Sequence, residues 1–343
     1  MRIQDKDLVL GQIDDFLSHI GNMGSPDILR ESIWTLLRIH SSSNSTRHDA
    51  RMIRRILREI RMTIKVFSQY KDVRKVAIFG SARTLPSDPA YRLAEEFAKK
   101  ITHKGFMVVT GAGGGIMEAG NRGSEANMDF GVNIDLPFEQ DPNPFIADDP
   151  KLVNYHYFFT RKLTFVRETD ATVLFPGGYG THDESFETLT LIQTGRAAPR
   201  PVLMLSPEGD DYWKKMDIFI REKLEKTGLI SADDLSLYKI VHSADEAVHE
   251  IIHFYRIYHS IRYIGEKTVM RLNAPLSDDV MTHLHGHFSH LLVEGMFHQC
   301  SSEETPEDCV HFPDKPRLVF NFNMREYGTL THLIHYLNNT VYN

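Results

Sequence analysis

Between residues 71 and 258, short apolar runs alternate with longer stretches of helical periodicity, and this alternation constrains the fold more than any other feature. RKVAIFG (74–80), FMVVTG (106–111), FGVNIDLP (130–137), ATVLFPGG (171–178) and RPVLML (200–205) are rich in apolar residues without strict alternation. Strands of that kind need cover on both faces, as in a parallel sheet. Segments such as YRLAEEFAKKITHKG and ESFETLTLIQTGR supply crossover helices, and HSADEAVHEIIHFYRIYHSI closes the unit as a helix. The expectation is an α/β, Rossmann-like, doubly wound parallel sheet with right-handed crossovers.

The flanks read differently, which divides the chain into 1–70, 71–258 and 259–343. Residues 1–70 read as helices. SPDILRESIWTLLRIH opens with Ser25 as N-cap and Pro26 at the first helical position, and Ile28, Ile33, Leu36 and Leu37 follow at near-helical spacing. TRHDARMIRRILREIRMTIKVFSQY is basic and carries an apolar stripe of Met52, Ile53, Ile56, Leu57, Ile60, Ile64 and Phe67. Its arginines form either a phosphate or nucleic-acid patch or a solvated helix face; a net charge of -7 favours the solvated face. Residues 259–343 read as strand, helix, strand, strand, helix, a small α+β appendage of the regulatory or oligomerising kind.

Composition excludes several function classes. With 41% hydrophobic and 25% charged residues the chain matches a soluble globular protein, and its acidity argues against nucleic acid or an anionic membrane as partner. No apolar run approaches the ~18 residues of a membrane span. MRIQDKDLVLGQ lacks the apolar core of a signal peptide, and Cys300 and Cys309 are the sole cysteines, so a cytoplasmic location is expected.

Three glycine-rich loops leave strands for helices at one sheet edge: Gly80 to Thr84, Thr110 to Gly123, and FPGGYGTHDE at 175–184. Unpaired N–H groups and helix N-termini there suit a phosphate. Gly111 and Gly113 are followed by Ile116 where a dinucleotide fingerprint needs a third glycine, and no loop ends in GK[ST]. A mononucleotide or sugar phosphate fits better. NYHYFFTRKLTFVRETD reads as a helix with Arg161 and Lys162 near its start. About ten residues of helix run down roughly 15 Å and the next strand returns by a similar distance. That places the pair beside the 176–184 loop. Cations at a helix N-terminus oppose its dipole, and an anionic ligand or a carboxylate such as Glu184 accounts for them.

These residues resemble a known family. PGGYGTHDE resembles the PGGxGTxxE signature of the Lonely Guy (LOG) family, Arg161-Lys162 its Arg-Lys pair and GAGGGIME its glycine loop. NIDLPFEQDPNPF resembles the extended form of longer bacterial members. The resemblance covers residues 70–230 and neither flank. It implies hydrolysis of the N-glycosidic bond of nucleoside 5′-monophosphates, AMP-like or cytokinin riboside 5′-monophosphates, to free base and ribose 5-phosphate. It also implies no metal or organic cofactor, and a homodimer or higher homo-oligomer.

Such a reaction passes through an oxocarbenium-like state. Glu184 is expected to hold the ribose hydroxyls or activate water, with Arg161 orienting it and Lys162 as a secondary contact. Gly177, Gly178, Tyr179, Gly180 and Thr181 form the 5′-phosphate cradle, helped by Ser81, Gly113, Gly114 and Gly115. Met117 and Glu118 stand where a base packs, and Glu187 and Thr190 follow Glu184 along the helix. A non-catalytic nucleotide or phosphorylated-cofactor binder could use the same crevice, but the presence of both Arg161 and Glu184 favours an enzyme. Two departures stand out: Ala112 replaces a usual glycine, and His182-Asp183 replaces a usual Leu-Glu.

Two further patterns could bind metal. His283 and His287 have i, i+4 spacing, although a polar helix surface explains them better. His298-x-Cys300 and Cys309-x-His311 are mirror images that, in paired antiparallel strands, would bring all four to one face. The eight residues between them leave that register free.

Overall fold

The computed structural model describes residues 6–20, 25–42, 44–136, 141–305, 308 and 312–340. They form two compact units, Met1–Met62 and Thr63–Asn343. The first holds α1 (Lys6–Ser18), α2 (Pro26–Ser41) and most of α3 (Arg47–Phe67). Ser25 and Pro26 start α2 as read, and Arg30 pairs with Asp14 of α1 at 2.6 Å. Along α3, Arg51, Arg54, Arg55, Arg58 and Arg61 are all exposed.

The second unit is built on a seven-stranded sheet. In chain order its strands are β1 (Lys75–Phe79), β2 (Met107–Thr110), β3 (Asp129–Ile134), β4 (Leu152–Tyr155), β5 (Ala171–Leu174), β6 (Val202–Leu205) and β7 (Lys239–Val241). All pairs are parallel, in the order β4-β3-β2-β1-β5-β6-β7. Helices α4 (Pro89–His103), α5 (Ile116–Gly123), α6 (Phe158–Glu168), α7 (Tyr179–Gln193), α8 (Tyr212–Phe219) and α9 (Ala244–Phe254) complete the crossovers. Apolar runs make this arrangement necessary, because every residue of β1, β2, β5 and β6 is buried. One face packs on Tyr91, Phe97 and Ile101 of α4, Ile116 of α5 and Ile251 of α9. The other packs on Phe67 of α3, Phe165 of α6, Ile192 of α7 and Trp213 of α8.

Sequence reading missed β4 and β7. Both are short edge strands of mixed burial, without the continuous apolar run that marked the central five. Finding β4 also shortens the expected helix at 154–170, which starts at Phe158. The closing helix is corrected too: α9 ends at Phe254, and Tyr258–Ile264 is a strand, β8. Ile257, Tyr258, Ile261, Tyr263 and Ile264 are β-branched or aromatic, and here strand preference overrides the helical reading.

After β8 come β9 (Lys267–Leu272), α10 (Asp278–His287), β10 (His298–Cys300), β11 (Arg317–Phe320) and α11 (Tyr327–Asn339). The four strands pair antiparallel in the order β10-β11-β9-β8. Cys300 therefore faces Arg317, and His298 faces Val319. Cys309 and His311 lie outside the described residues. Among the described residues no group of three His, Cys, Asp or Glu is placed to hold a metal. The His283 and His287 rings stack at 3.9 Å and 12°, turning faces rather than nitrogens toward each other. Gly195 ends α7 at φ +68, and a Cβ there would meet the Tyr327 ring at 2.0 Å, so the far end of α7 is closed by α11.

Candidate active site

Strand order reverses beside β1: the chain runs outward through β2, β3 and β4, then returns to β5 on the other side. At such a switch point the loops leaving the two central strands diverge and open a crevice. A cleft of about 1050 Å³ opens there, lined by Gly80, Ser81 and Arg83 after β1, by Gly111, Gly113, Gly114 and Met117 after β2, and by residues 177–184 after β5. Arg161 and Phe158 of α6 line it as well.

Ser81 joins the three loops. Its N–H donates to the Pro176 carbonyl at 3.2 Å, and its carbonyl accepts from the Ile116 N–H at 3.1 Å. Its hydroxyl accepts from the Arg83 N–H at 3.1 Å. Gly115 is required beneath this junction, because at φ +65 its Cβ would come within 2.3 Å of the Ser81 carbonyl oxygen. Ala112 sits at φ +64, a left-handed conformation that costs an alanine about 1 kcal/mol. Asn143 holds it there: its N–H and Nδ2 both donate to the Ala112 carbonyl, at 2.8 and 3.1 Å, and Nδ2 also reaches the Gly113 carbonyl at 3.0 Å. The NPF end of the extended motif thus supports the second glycine loop; residues 137–140 of that motif lie outside the described residues.

Helix α7 begins at Tyr179 with Gly178 as N-cap, so its unpaired N–H groups and positive dipole end face the cleft. Gly177 is glycine for packing reasons, since a Cβ would lie 2.1 Å from Thr181 Oγ1. Gly178 and Gly180 differ: neither is left-handed, and a Cβ on either meets no atom within 4 Å. These two glycines preserve empty space. Gly180→Ala is expected to leave the melting temperature unchanged or higher, alanine being the better helix former by about 1 kcal/mol. It should weaken ribose 5-phosphate binding at least ~10-fold, as one lost charge-assisted contact does. Calorimetric titration beside a thermal melt checks this, and undiminished affinity would place the anion elsewhere.

One turn further on, Glu184 is 7% exposed. Burial pushes its carboxyl up to about 7, against the opposing pull of Lys162 and Arg161; Glu187 and Asp183 add to the rise. Lys162 stands 2.8 Å from Glu187, 2.9 Å from Asp183 and 3.6 Å from Glu184. Burial pulls its ammonium down, but these carboxylates outweigh it and hold it above the usual lysine range. Arg161 is placed by other means. Its Nε donates to the Val132 carbonyl at 2.9 Å, and its Nη2 occupies the space that a Cβ on Gly111 would fill, 2.4 Å away.

The structure thus brings Glu184, Arg161 and Lys162 together beside the glycine turn at the start of α7. Lys162, expected as a secondary contact, stands at ion-pair distance from Glu184. Lys162, Gly115, Glu118 and Thr190 are not part of the cleft wall described above. Glu118 accepts from the Tyr91 hydroxyl at 3.0 Å, and Thr190 is exposed on α7. Met117 folds back over the second loop, its Cε 2.8 Å from where a Gly113 Cβ would be. Arg83 in the cleft wall was missed, although GSART displayed it. Tyr212 was missed for want of any local signal: from the start of α8 its hydroxyl reaches both His182 and the Gly177 carbonyl.

Residues 102–251 match a family model described as possible lysine decarboxylase. Over 87 residues the chain is 37% identical to LOGL3 of Oryza sativa subsp. japonica, named a probable cytokinin riboside 5′-monophosphate phosphoribohydrolase. These matches bear out the resemblance to the Lonely Guy (LOG) family. That LOG match covers 25% of this chain and 38% of the rice protein. An uncharacterized protein of Archaeoglobus fulgidus is 31% identical over 97 residues, 28% of this chain and 62% of that one. The chain thus spans less than two thirds of either relative. Among solved structures, the molybdenum cofactor carrier protein of Chlamydomonas reinhardtii gives a TM-score of 0.37 at 16% identity, over 52% of this chain and 96% of that one. Likeness of that strength bears on neither ligand nor chemistry.

A pyridoxal-dependent decarboxylase holds its cofactor through a lysine Schiff base. Among the described residues lining the cleft there is no lysine, and neighbouring Lys162 is an ammonium surrounded by three carboxylates. The residues present do not fit that group.

Proposed function

We propose that this protein hydrolyses the N-glycosidic bond of nucleoside 5′-monophosphates. One observation carries the reading: a buried carboxylate, raised to about 7, lies three residues along α7 from the glycine turn at its N-terminus. Three residues of helix advance about 4.5 Å, comparable to the reach from a 5′-phosphate to the anomeric carbon. A phosphate seated at Gly177–Thr181 therefore brings C1′ to Glu184.

The chemistry follows from that placement. As the C1′–N bond breaks, its electron pair leaves with the base and positive charge builds on the sugar. Glu184 as carboxylate stabilises that charge and takes a proton from the water whose oxygen bonds to C1′. The departing base takes up a proton from solvent, Glu184 releases to solvent the one it took from water, and ribose 5-phosphate remains. Arg161, fixed between Val132 and Gly111, steadies the substrate; Lys162 keeps Glu184 in place.

Incubation with a panel of purine, pyrimidine and N6-substituted adenine nucleoside monophosphates should release free base and ribose 5-phosphate in equal amounts. Binding without release of base from any of them would make the protein a nucleotide binder and overturn the reading.

A further inference from the structure

The pair His182–Tyr212 braces the glycine turn, with His182 also at the cleft wall, and plays no part in the mechanism above. The Tyr212 hydroxyl donates its one hydrogen to the Gly177 carbonyl. His182 Nε2 lies 2.6 Å from the same hydroxyl oxygen. With the tyrosine proton already committed to a carbonyl, Nε2 has to be the donor. This fixes the Nε2–H tautomer and leaves Nδ1 with a lone pair; Nδ1 is buried and has no hydrogen-bond partner among the described residues. The imidazole is packed on three sides: Tyr212 stacks at 5.8 Å and 16°, Trp213 meets it edge-on at 6.0 Å, and Phe186 lies at 6.4 Å. Burial pulls its pKa below the usual histidine value, consistent with a neutral ring.

The consequence lies in the peptide that Tyr212 grips. A trans peptide is planar, with C=O and N–H pointing opposite ways. Anchoring the Gly177 carbonyl on Tyr212 turns the Gly178 N–H away from α8. Gly178 lines the cleft, and among the described residues its N–H donates to no backbone carbonyl.

We propose that His182 and Tyr212 are positioning residues that aim the Gly178 N–H into the cleft as an anion donor. The relay rests on the reading of residues 177–181 as a phosphate cradle. It also gives a role to His182, which the resemblance to the LOG signature marks as a departure from an expected leucine. A leucine there cannot donate to Tyr212, so this chain fixes its turn by a polar contact that a leucine at this position could not make.

The test is calorimetric titration of the full chain with ribose 5-phosphate, which reads the cradle whether or not base is released. Tyr212→Phe is expected to weaken binding about tenfold and His182→Leu about three- to fivefold. His182→Gln, whose amide can donate in place of Nε2, should recover most of that loss. The double variant that combines His182→Leu with Tyr212→Phe should bind no more weakly than Tyr212→Phe alone, because the two act through one hydrogen bond. Thermal melts accompany each variant, since a merely structural pair would lower stability without this rescue and this non-additivity. Wild-type affinity in Y212F, or additive losses in the double variant, would overturn the relay alone. Failure of the wild-type protein to bind ribose 5-phosphate would overturn the cradle itself, and the relay with it.

Discussion

Glu184→Gln is expected to cut release of free base at least ~1000-fold while ribose 5-phosphate still binds within about threefold of wild type. Glutamine keeps the size and the hydrogen-bonding reach but can neither accept the water proton nor carry negative charge toward the sugar. On the proposed mechanism the working form is the carboxylate, and burial pushes its pKa up to about 7. Activity as kcat/KM should therefore rise about tenfold per pH unit below that value and level off above it. A falling limb through the same region would mean that Glu184 acts as an acid, and the base assignment would be lost.

The same substitution has a stability consequence of definite sign. Glu184 titrates at 4.5 when unperturbed and at about 7 when folded, so between those values the folded state binds more protons than the unfolded one. Stability present below the unfolded value is therefore lost as pH rises through about 7, and it stays lost above. A neutral glutamine escapes that loss. E184Q should be more stable than wild type at pH 8, by on the order of 2 kcal/mol, and close to it at pH 4. Denaturant melts at the two pH values check this. An enzyme made inactive and more stable by one substitution is the pattern expected of a site residue held against its own solvation.

How much of this could be read from sequence depended on how local the signal was. The five central strands were legible because each is buried on both faces and shows as an apolar run. β4 and β7 were not, since edge strands of four and three residues can be polar on one side. The placement of Arg161 and Lys162 beside the 176–184 loop followed from helix and strand lengths alone. That Lys162 would pair with Glu184, and that Arg161 would be held by the Val132 carbonyl beside Gly111, did not, because both depend on contacts between separate elements. Asn143 and Tyr212 lie 31 and 35 residues from the loop carbonyls they hold. Their roles exist only once β3 lies beside β2 and β6 beside β5.

Gly111→Ala and Arg161→Ala are expected to lower kcat/KM by similar factors, on the order of 10²–10³, and the double variant by no more than either single. The arginine can lie where it does because Gly111 has no side chain. A Cβ there would stand 2.4 Å from Nη2 and 2.6 Å from Met117 Sδ, both far inside van der Waals contact, so the guanidinium has to move. Its Nε hydrogen bond to Val132 then breaks or lengthens. A displacement of about 1 Å at a substrate-positioning group can cost a hundredfold in rate. Arg161→Lys should not restore activity, because an ammonium has no Nε to hold the Val132 carbonyl while a second nitrogen reaches into the cleft. Folding controls matter here, and the contrast is with Gly180→Ala, whose added methyl enters open space. If G111A retained full activity, the guanidinium would be shown to work from another position. If the losses in the double variant multiplied, Gly111 would act on catalysis by a route other than Arg161, with Met117 the nearest candidate.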